Sequence, residues 1–200
     1  MASDDDLRGF RLLFVCTGNV CRSAFAELIT AHLLAERVGS EVRRFQLGSA
    51  GTQAMVGEPI QPDARRELAP WKLDGAYADR FSARQLTAAM IEQADVVLTA
   101  TPEHRAAALT LCPQALAKTF TLREFARLAA AVEPQELPAT PVERAHALVA
   151  RARSLRGKVR AASPADDAIV DPMGRSAKVH RQAATLITDA TRTIVETIAL

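Results

Sequence analysis

The sequence has few cysteines, no long apolar run and no signal for export. Its three cysteines are an odd number with no paired spacing, which argues against a secreted disulfide framework. The first apolar run, residues 12–16, is far shorter than the roughly 20 residues that cross a bilayer. Residues 1–6 are acidic, unlike the basic start of a signal peptide. We therefore expect a cytoplasmic protein with no membrane association.

The sequence also lacks a charge excess and a cluster of metal ligands. It has 25 Lys and Arg residues against 23 Asp and Glu residues, whereas nucleic-acid-binding domains usually show a basic excess on one face. The four histidines are scattered without ligand spacing. We expect no nucleic-acid partner, no metal and no other cofactor. The sequence does not determine the oligomeric state. The histidines are His32, His104, His146 and His180.

What is present is the composition of an ordinary globular domain. With 200 residues, 48% of them hydrophobic and 24% charged, the chain is long enough to bury a core without disulfides or metal. We expect a single domain over residues 1–200, with a flexible segment at residues 1–9. An arginine-rich stretch at residues 143–160 is interpreted as one solvated helix face, with a partner surface as the alternative.

Short apolar runs alternate with helical patterns along the chain. Strands are predicted at about residues 10–16, 42–47, 95–99 and 118–122. Helices are predicted at about residues 23–38, 62–68, 83–93, from 102 onward, 123–132, 142–156 and 176–199, with Ser23 and Ser82 as N-caps. This alternation predicts an α/β fold with a parallel sheet covered on both faces. Ligands bind beyond the carboxyl ends of such strands, where residues 16–23, 49–52 and 99–102 are expected.

The loop after the first strand has the composition of an anion cradle. Backbone N–H groups from about residue 17 to residue 22 can point inward around an anion, and the following helix adds a positive dipole end. Gly18 and Asn19 tolerate the left-handed backbone angles of a tight loop. Arg22 can present a planar fork to two phosphate oxygens. The loop is therefore predicted to bind a phosphoryl group.

Cys16 lies at the base of this loop, where the thiolate is the favoured and nucleophilic form. The alternative is a core cysteine at the end of an apolar strand, and the spacing of Cys16 and Arg22 alone is a weak signal. Gly18, Asn19 and Ser23 favour the catalytic interpretation. Asp171, held on a loop by the proline that follows it, can protonate a leaving oxygen; a plain turn is the alternative.

Four ordered segments resemble the low-molecular-weight protein tyrosine phosphatase family. Residues 15–23 resemble its signature loop, 49–52 its second loop and 171–174 its late acid loop, and 81–86 and 94–99 also match. The likeness covers about residues 10–122 and 165–200. It implies a flavodoxin-like doubly wound fold, with a four-stranded parallel sheet in the order 2-1-3-4. It also implies a phosphomonoester hydrolase without a cofactor, acting on a phosphorylated protein or a small phosphomonoester.

The resemblance implies a role for each site residue. Cys16 is the nucleophile that forms a phosphocysteine, and Asp171 acts first as acid and then as base. Arg22 binds the phosphoryl group with the loop amides, which are those of Thr17, Gly18, Asn19, Val20, Cys21 and Arg22. Asn19, Ser23 and Ser49 support the loop. Cys21 can form a reversible disulfide with Cys16, which protects the nucleophile from irreversible oxidation.

The chain departs from the family at several positions. Phe81 stands where some members carry a structural histidine, so a partner of Glu27 is expected to be missing. Met55 and Met173 stand where tyrosine-specific members have aromatic rings, which predicts relaxed or altered substrate preference. Val20 favours a tyrosine phosphatase, since related phosphoarginine phosphatases carry threonine there. Residues 123–165 are predicted to be a mainly helical insertion before the acid loop.

Two other functions remain open at this point. A thioredoxin-coupled arsenate reductase shares the loop and fold, but it needs relay cysteines, and Cys112 is the one further cysteine. A phosphate-binding pseudoenzyme is the other alternative. Such proteins typically lose the nucleophile, the arginine or the acid, whereas Cys16, Arg22 and Asp171 are all present.

Overall fold

The computed structural model describes residues 9–199. The segment predicted to be flexible, residues 1–9, lies outside the described residues except for Gly9. Within the described part, four strands form one parallel sheet in the order β2-β1-β3-β4, which confirms the predicted fold class and strand order. The strands are β1 (Phe10–Cys16), β2 (Phe45–Gly51), β3 (Val96–Thr99) and β4 (Thr119–Thr121).

Helices cover both faces of this sheet. Alternate residues of β1 point to opposite sides, so Phe10, Leu12 and Phe14 enter the main core while Leu13 and Val15 enter a second core. Helices α1, α6, α7 and α8 pack on the first side and α4 and α5 on the second. The helices of the described part are α1 (Arg22–Val38), α2 (Pro62–Arg66), α3 (Ala76–Asp79), α4 (Ala88–Gln93), α5 (Pro102–Leu111), α6 (Leu122–Ala129), α7 (Pro141–Leu155) and α8 (Ala177–Ala199).

Both serine caps predicted from the sequence are wrong. Helix α1 already begins at Arg22, and the Ser23 hydroxyl makes its contacts inside the site instead. Helix α4 begins at Ala88, where Thr87 accepts a hydrogen bond from a backbone N–H. Residues 81–86 remain non-helical because their backbone bonds to the end of β2, with Gly51 N–H donating to the Arg84 carbonyl at 2.9 Å.

The second strand also lies later than predicted. Residues 39–44 form a 3₁₀ helix, and β2 (Phe45–Gly51) then pairs with the whole of β1. The register sets Cys16 opposite Gly51. The predicted second loop therefore begins inside a strand, and Ser49 is held rigidly beside β1.

Residues 123–165 contain most of α6 and all of α7, which pack against the last helix. Most basic residues of the arginine-rich stretch are exposed, as predicted, but two of its arginines are not. Arg144 is 5% exposed and donates to the carbonyls of Thr197 and Pro138. Arg156 lies over the Phe120 ring, 3.9 Å from its centroid. These side chains attach α7 to the core, while the description of the segment as an insertion stays a prediction.

No helix among residues 9–199 combines the length and apolar character needed to cross a membrane.

Candidate active site

The loop between β1 and α1 is curled so that its carbonyl oxygens face outward. The carbonyls of Cys16, Thr17 and Gly18 accept from N–H groups of residues 52, 53 and 55 at 2.9–3.0 Å. The Val20 carbonyl accepts from the Gln61 N–H at 2.9 Å. In the described part of the chain, none of the N–H groups from Gly18 to Arg22 donates to a backbone carbonyl. These N–H groups are therefore available for the anion that the sequence predicts to bind there.

Asn19 holds the loop from beneath. It is fully buried and has a positive φ of 56°, the left-handed conformation that asparagine tolerates. Its side-chain amide donates to the hydroxyls of Ser23 and Ser49 at 2.9 and 2.8 Å. Its side-chain carbonyl accepts from the backbone N–H of Arg84 at 2.8 Å. One side chain thus ties together the loop, the first helix, β2 and the 81–86 segment.

The nucleophile candidate and its hydroxyl partner are buried together. Cys16 is 2% exposed, and its Sγ lies 3.0 Å from Oγ of Ser23. Since Ser23 accepts from Asn19, its own proton is free to point at the sulfur. Burial, then the nearby Cys16 and Asp171, raise the pKa of Cys21 to about 12. Cys21 therefore remains a thiol at neutral pH.

Arg22 and Asp171 meet at the pocket that Cys16 also lines. Nη2 of Arg22 lies 3.0 Å from Oδ2 of Asp171, and its Nη1 donates to the Ile169 carbonyl at 3.4 Å. Within the described residues, the buried Nε of Arg22 makes no hydrogen bond. The Asp171 side chain is 55% exposed and its Oδ1 accepts from the Met173 N–H at 3.2 Å. The buried guanidinium of Arg22 is therefore held through its Nη atoms, while the carboxyl of Asp171 is exposed to solvent.

A pocket of about 200 Å³ lies between these groups. Its outer wall contains Met55 and Met173, which are 49% and 42% exposed, in the places predicted from the sequence. Asn19, Ser23 and Ser49 lie behind the loop. The lining residues are Cys16, Thr17, Gly18, Val20, Cys21, Arg22, Gln53, Met55, Asp171 and Met173.

The expectation that Glu27 lacks a partner is wrong. Ser49 donates its hydroxyl to Oε2 of Glu27 at 2.6 Å, and Arg84 is close enough to act on the carboxyl electrostatically. Burial raises the pKa of Glu27, while the Ser49 hydrogen bond and Arg84 lower it. Phe81 packs against the main core instead of supplying a polar contact. Ser49 therefore supplies a hydrogen bond to Glu27, and Arg84 adds a favourable charge nearby.

Three residues of the site are missed by sequence reasoning. Arg84 donates to the Ser49 carbonyl at 3.0 Å, and Gln85 bonds to the backbone of Thr52 and Ala54 at 3.1 and 3.0 Å. His104 lies 2.8 Å from the Thr17 hydroxyl. The resemblance of residues 81–86 to the family was a signal for the first two. His104 carried no signal, because its partner is far away in sequence.

Within residues 9–199, no group of three or more His, Cys, Asp and Glu side chains could hold a metal ion.

The chain resembles known phosphatases in sequence and in fold. A family model described as low molecular weight phosphotyrosine protein phosphatase matches residues 11–138. A protein-arginine-phosphatase of Geobacillus stearothermophilus is 34% identical over 116 residues, 58% of this chain and 71% of the relative. The low molecular weight protein-tyrosine-phosphatase Etp of Escherichia coli K12 is 30% identical over 128 residues, 64% of this chain and 74% of its own length.

Solved structures show the same architecture. A YwlE mutant from Bacillus subtilis superposes with a TM-score of 0.66 at 20% identity, covering 94% of this chain and 97% of the other. Wzb of Vibrio vulnificus, in complex with benzylphosphonate, superposes with a TM-score of 0.64 at 20% identity, covering 94% and 97%. At such identities the likeness shows the fold alone. Since the family model spans more than half of the sequence, the chain belongs to the low molecular weight phosphotyrosine protein phosphatase family.

Proposed function

We propose that the protein hydrolyses phosphomonoesters through a phosphocysteine formed on Cys16. One observation carries the proposal: the buried Cys16 lines one pocket together with the loop whose N–H groups have no backbone partner and with Arg22 and Asp171, whose side chains lie 3.0 Å apart. This arrangement joins a nucleophile, a site for phosphoryl oxygens and a proton donor. The proposed substrates are phosphorylated proteins or small phosphomonoesters.

The reaction proceeds in two balanced steps. In the first, the Cys16 thiolate attacks phosphorus, a P–S bond forms, the P–O bond to the leaving group breaks, and protonated Asp171 gives its proton to the leaving oxygen. In the second, the Asp171 carboxylate takes a proton from water, whose oxygen attacks phosphorus. The P–S bond breaks, and inorganic phosphate and the thiolate are released.

The phosphoryl oxygens need a matched set of donors in both steps. Nε of Arg22 is buried and unused within the described residues, and the loop N–H groups from Gly18 to Arg22 surround the same space. A guanidinium edge with a ring of amides stabilises the charge that develops on three equatorial oxygens. The buried hydrogen bond that the Asn19 amide donates to the Ser49 hydroxyl at 2.8 Å stabilises the conformation of the loop that carries these N–H groups.

The experiment is turnover of p-nitrophenyl phosphate by the wild type, Cys16→Ser and Cys112→Ser. We expect activity in the wild type, loss to background in Cys16→Ser, and wild-type kcat in Cys112→Ser, since Cys112 is fully buried in the second core. A wild type that binds phosphate without turnover contradicts the proposal and favours a binding protein. Arsenate reduction that depends on Cys112 favours the reductase.

Substrate preference is the second part of the proposal. The pocket wall carries two flexible thioethers, Met55 and Met173, in place of rings that stack on a phenol. Relatives of this chain are named for phosphotyrosine and for phosphoarginine substrates, and Val20 favours the former. We propose a hydrolase of relaxed preference, tested by kcat/KM for phosphotyrosine, phosphoarginine, phosphoserine and sugar phosphates. A strong preference for phosphotyrosine contradicts it.

A reversible disulfide between Cys16 and Cys21 is proposed as protection of the nucleophile. Peroxide oxidises the Cys16 thiolate to a sulfenic acid, and the Cys21 thiol then condenses with it, releasing water. We expect dithiothreitol to restore activity after peroxide in the wild type but not in Cys21→Ser. Equal recovery in both contradicts the role of Cys21. We also propose a reducing, cytoplasmic location, which the odd number of cysteines without paired spacing supports.

A further inference from the structure

A buried histidine joins the phosphate loop to the loop after β3. His104 lies in the first turn of α5 (Pro102–Leu111) and is 8% exposed. Its Nε2 lies 2.8 Å from the hydroxyl oxygen of Thr17, and its Nδ1 lies 2.8 Å from the hydroxyl oxygen of Thr101. Both ring nitrogens thus have a hydroxyl partner, which holds the imidazole plane in one orientation.

The Thr101 end of this bridge is anchored by the helix itself. Thr101 is the N-cap of α5, and its hydroxyl accepts from the backbone N–H of His104. The Thr101 backbone carbonyl also accepts from the Thr99 hydroxyl at 3.0 Å, which ties it to the end of β3. The ring is therefore positioned by secondary structure and does not depend on the phosphate loop for its place.

The Thr17 end of the bridge reaches the phosphate-binding arginine. Nη2 of Arg22 donates a hydrogen bond to the Thr17 hydroxyl oxygen at 3.4 Å. The same nitrogen lies 3.0 Å from Asp171. A continuous polar chain thus runs from Thr101 through His104 and Thr17 to the guanidinium and the acid.

We propose that His104 is a positioning residue, which holds the Thr17 hydroxyl and through it sets the orientation of the Arg22 guanidinium for the transition state. The inference rests on the proposed phosphatase function and deepens it. Thr17 lines the pocket. Without the hydrogen bond to His104, its hydroxyl can rotate toward the substrate, and Arg22 then loses its contact with that hydroxyl.

The charge state of the ring suits this role. Burial, and then the guanidinium of Arg22, lower the pKa of His104 to about 4, while the carboxylates of Asp171 and Glu103 act in the opposite direction. The imidazole is neutral at neutral pH, so it supports Thr17 without placing a second positive charge against Arg22. A lysine or arginine in this place would repel the guanidinium.

The test is a double-mutant cycle on kcat with p-nitrophenyl phosphate. Loss of one neutral hydrogen bond predicts that His104→Ala and Thr17→Val each lower kcat about 3- to 10-fold, with little change in KM. Because both act through the same contact, the double variant is expected to be no slower than the slower single variant. His104→Gln, which keeps a polar group at this distance, is expected to recover most of the lost kcat.

A matched control separates positioning from folding. His146 packs edge-on against Phe10, with ring centroids 4.9 Å apart, in the main core. His146→Ala should lower Tm but leave kcat unchanged when measured on folded protein. The inference is overturned if the losses of kcat in the two single variants multiply in the double variant. It is also overturned if kcat is unchanged in His104→Ala. Failure of the proposed function looks different, because the wild type itself then shows no turnover.

Discussion

The hydroxyl oxygen of Ser23 lies 3.0 Å from the sulfur of Cys16 and 2.9 Å from the side-chain amide of Asn19. Because the amide is the donor in its contact, the Ser23 proton is directed to the sulfur. In the proposed mechanism, the serine stabilises the negative charge of the Cys16 thiolate, both before the sulfur attacks phosphorus and when the sulfur leaves again as the thiolate.

Ser23→Ala tests this relationship. Hydrogen bonds to charged groups contribute about 1.5–3 kcal/mol, so we expect kcat to fall roughly 10- to 150-fold. The measurement is steady-state turnover of p-nitrophenyl phosphate at neutral pH. Ser154→Ala is the control, because Ser154 is exposed on α7 and bonds only to the Arg151 carbonyl in the described part. An unchanged kcat in Ser23→Ala contradicts the role of the hydroxyl.

Asp171→Asn tests proton transfer to the leaving group. General acid catalysis contributes about 10²- to 10⁴-fold, and the need for it grows as the leaving group becomes more basic. We expect a larger loss of kcat/KM for phenyl phosphate than for p-nitrophenyl phosphate. Asp189→Asn, at an exposed position of α8, should leave both substrates unaffected. Equal losses for the two substrates would show that Asp171 does not protonate the leaving oxygen.

Gly51→Ala tests how closely the second loop approaches the phosphate loop. A Cβ at Gly51 would lie 2.3 Å from the Thr17 carbonyl oxygen, a backbone atom that has to move. Overpacking of this kind lowers the free energy of unfolding by about 1–3 kcal/mol. The shifted carbonyl should also displace the neighbouring N–H groups of the loop after β1 and so lower kcat. Urea unfolding and turnover measure the two effects. Gly157→Ala is the control, since nothing lies within 4 Å of its Cβ position; similar behaviour of both variants refutes the expectation.

The buried His104 predicts a dependence of stability on pH. The pKa of the folded imidazole is lowered from 6.5 to about 4, so between these values the unfolded state binds more protons than the folded state. The free energy of unfolding should therefore decrease as the pH falls from 6.5 toward 4. His104→Gln removes this contribution and should flatten the curve in that window, as followed by urea unfolding at several pH values. Parallel curves for the two proteins would contradict the lowered pKa.

Much of the fold was predictable from local patterns. The alternation of apolar runs and helical segments identified the parallel sheet, and residues such as Phe14 and Val15 indeed lie on opposite faces of one largely buried strand. The predicted starts of α1 and α4 were wrong although Ser23 and Ser82 have good capping side chains, because the Ser23 hydroxyl contacts the Cys16 sulfur and the backbone after Ser82 bonds to β2. Propensity is a local quantity, whereas the backbone of residues 81–86 bonds to β2, about 35 positions earlier in the chain.

Sequence alone pointed to the proposed chemistry of this protein, because the candidate nucleophile, the arginine and the loop between them occupy seven consecutive positions, 16–22, whose backbone is the proposed anion cradle. Tertiary structure decided what holds that cradle in place. Arg84 reaches Asn19 across 65 positions and His104 reaches Thr17 across 87. Such contacts form only when the sheet brings the carboxyl ends of its strands together, so no spacing in the sequence announces them.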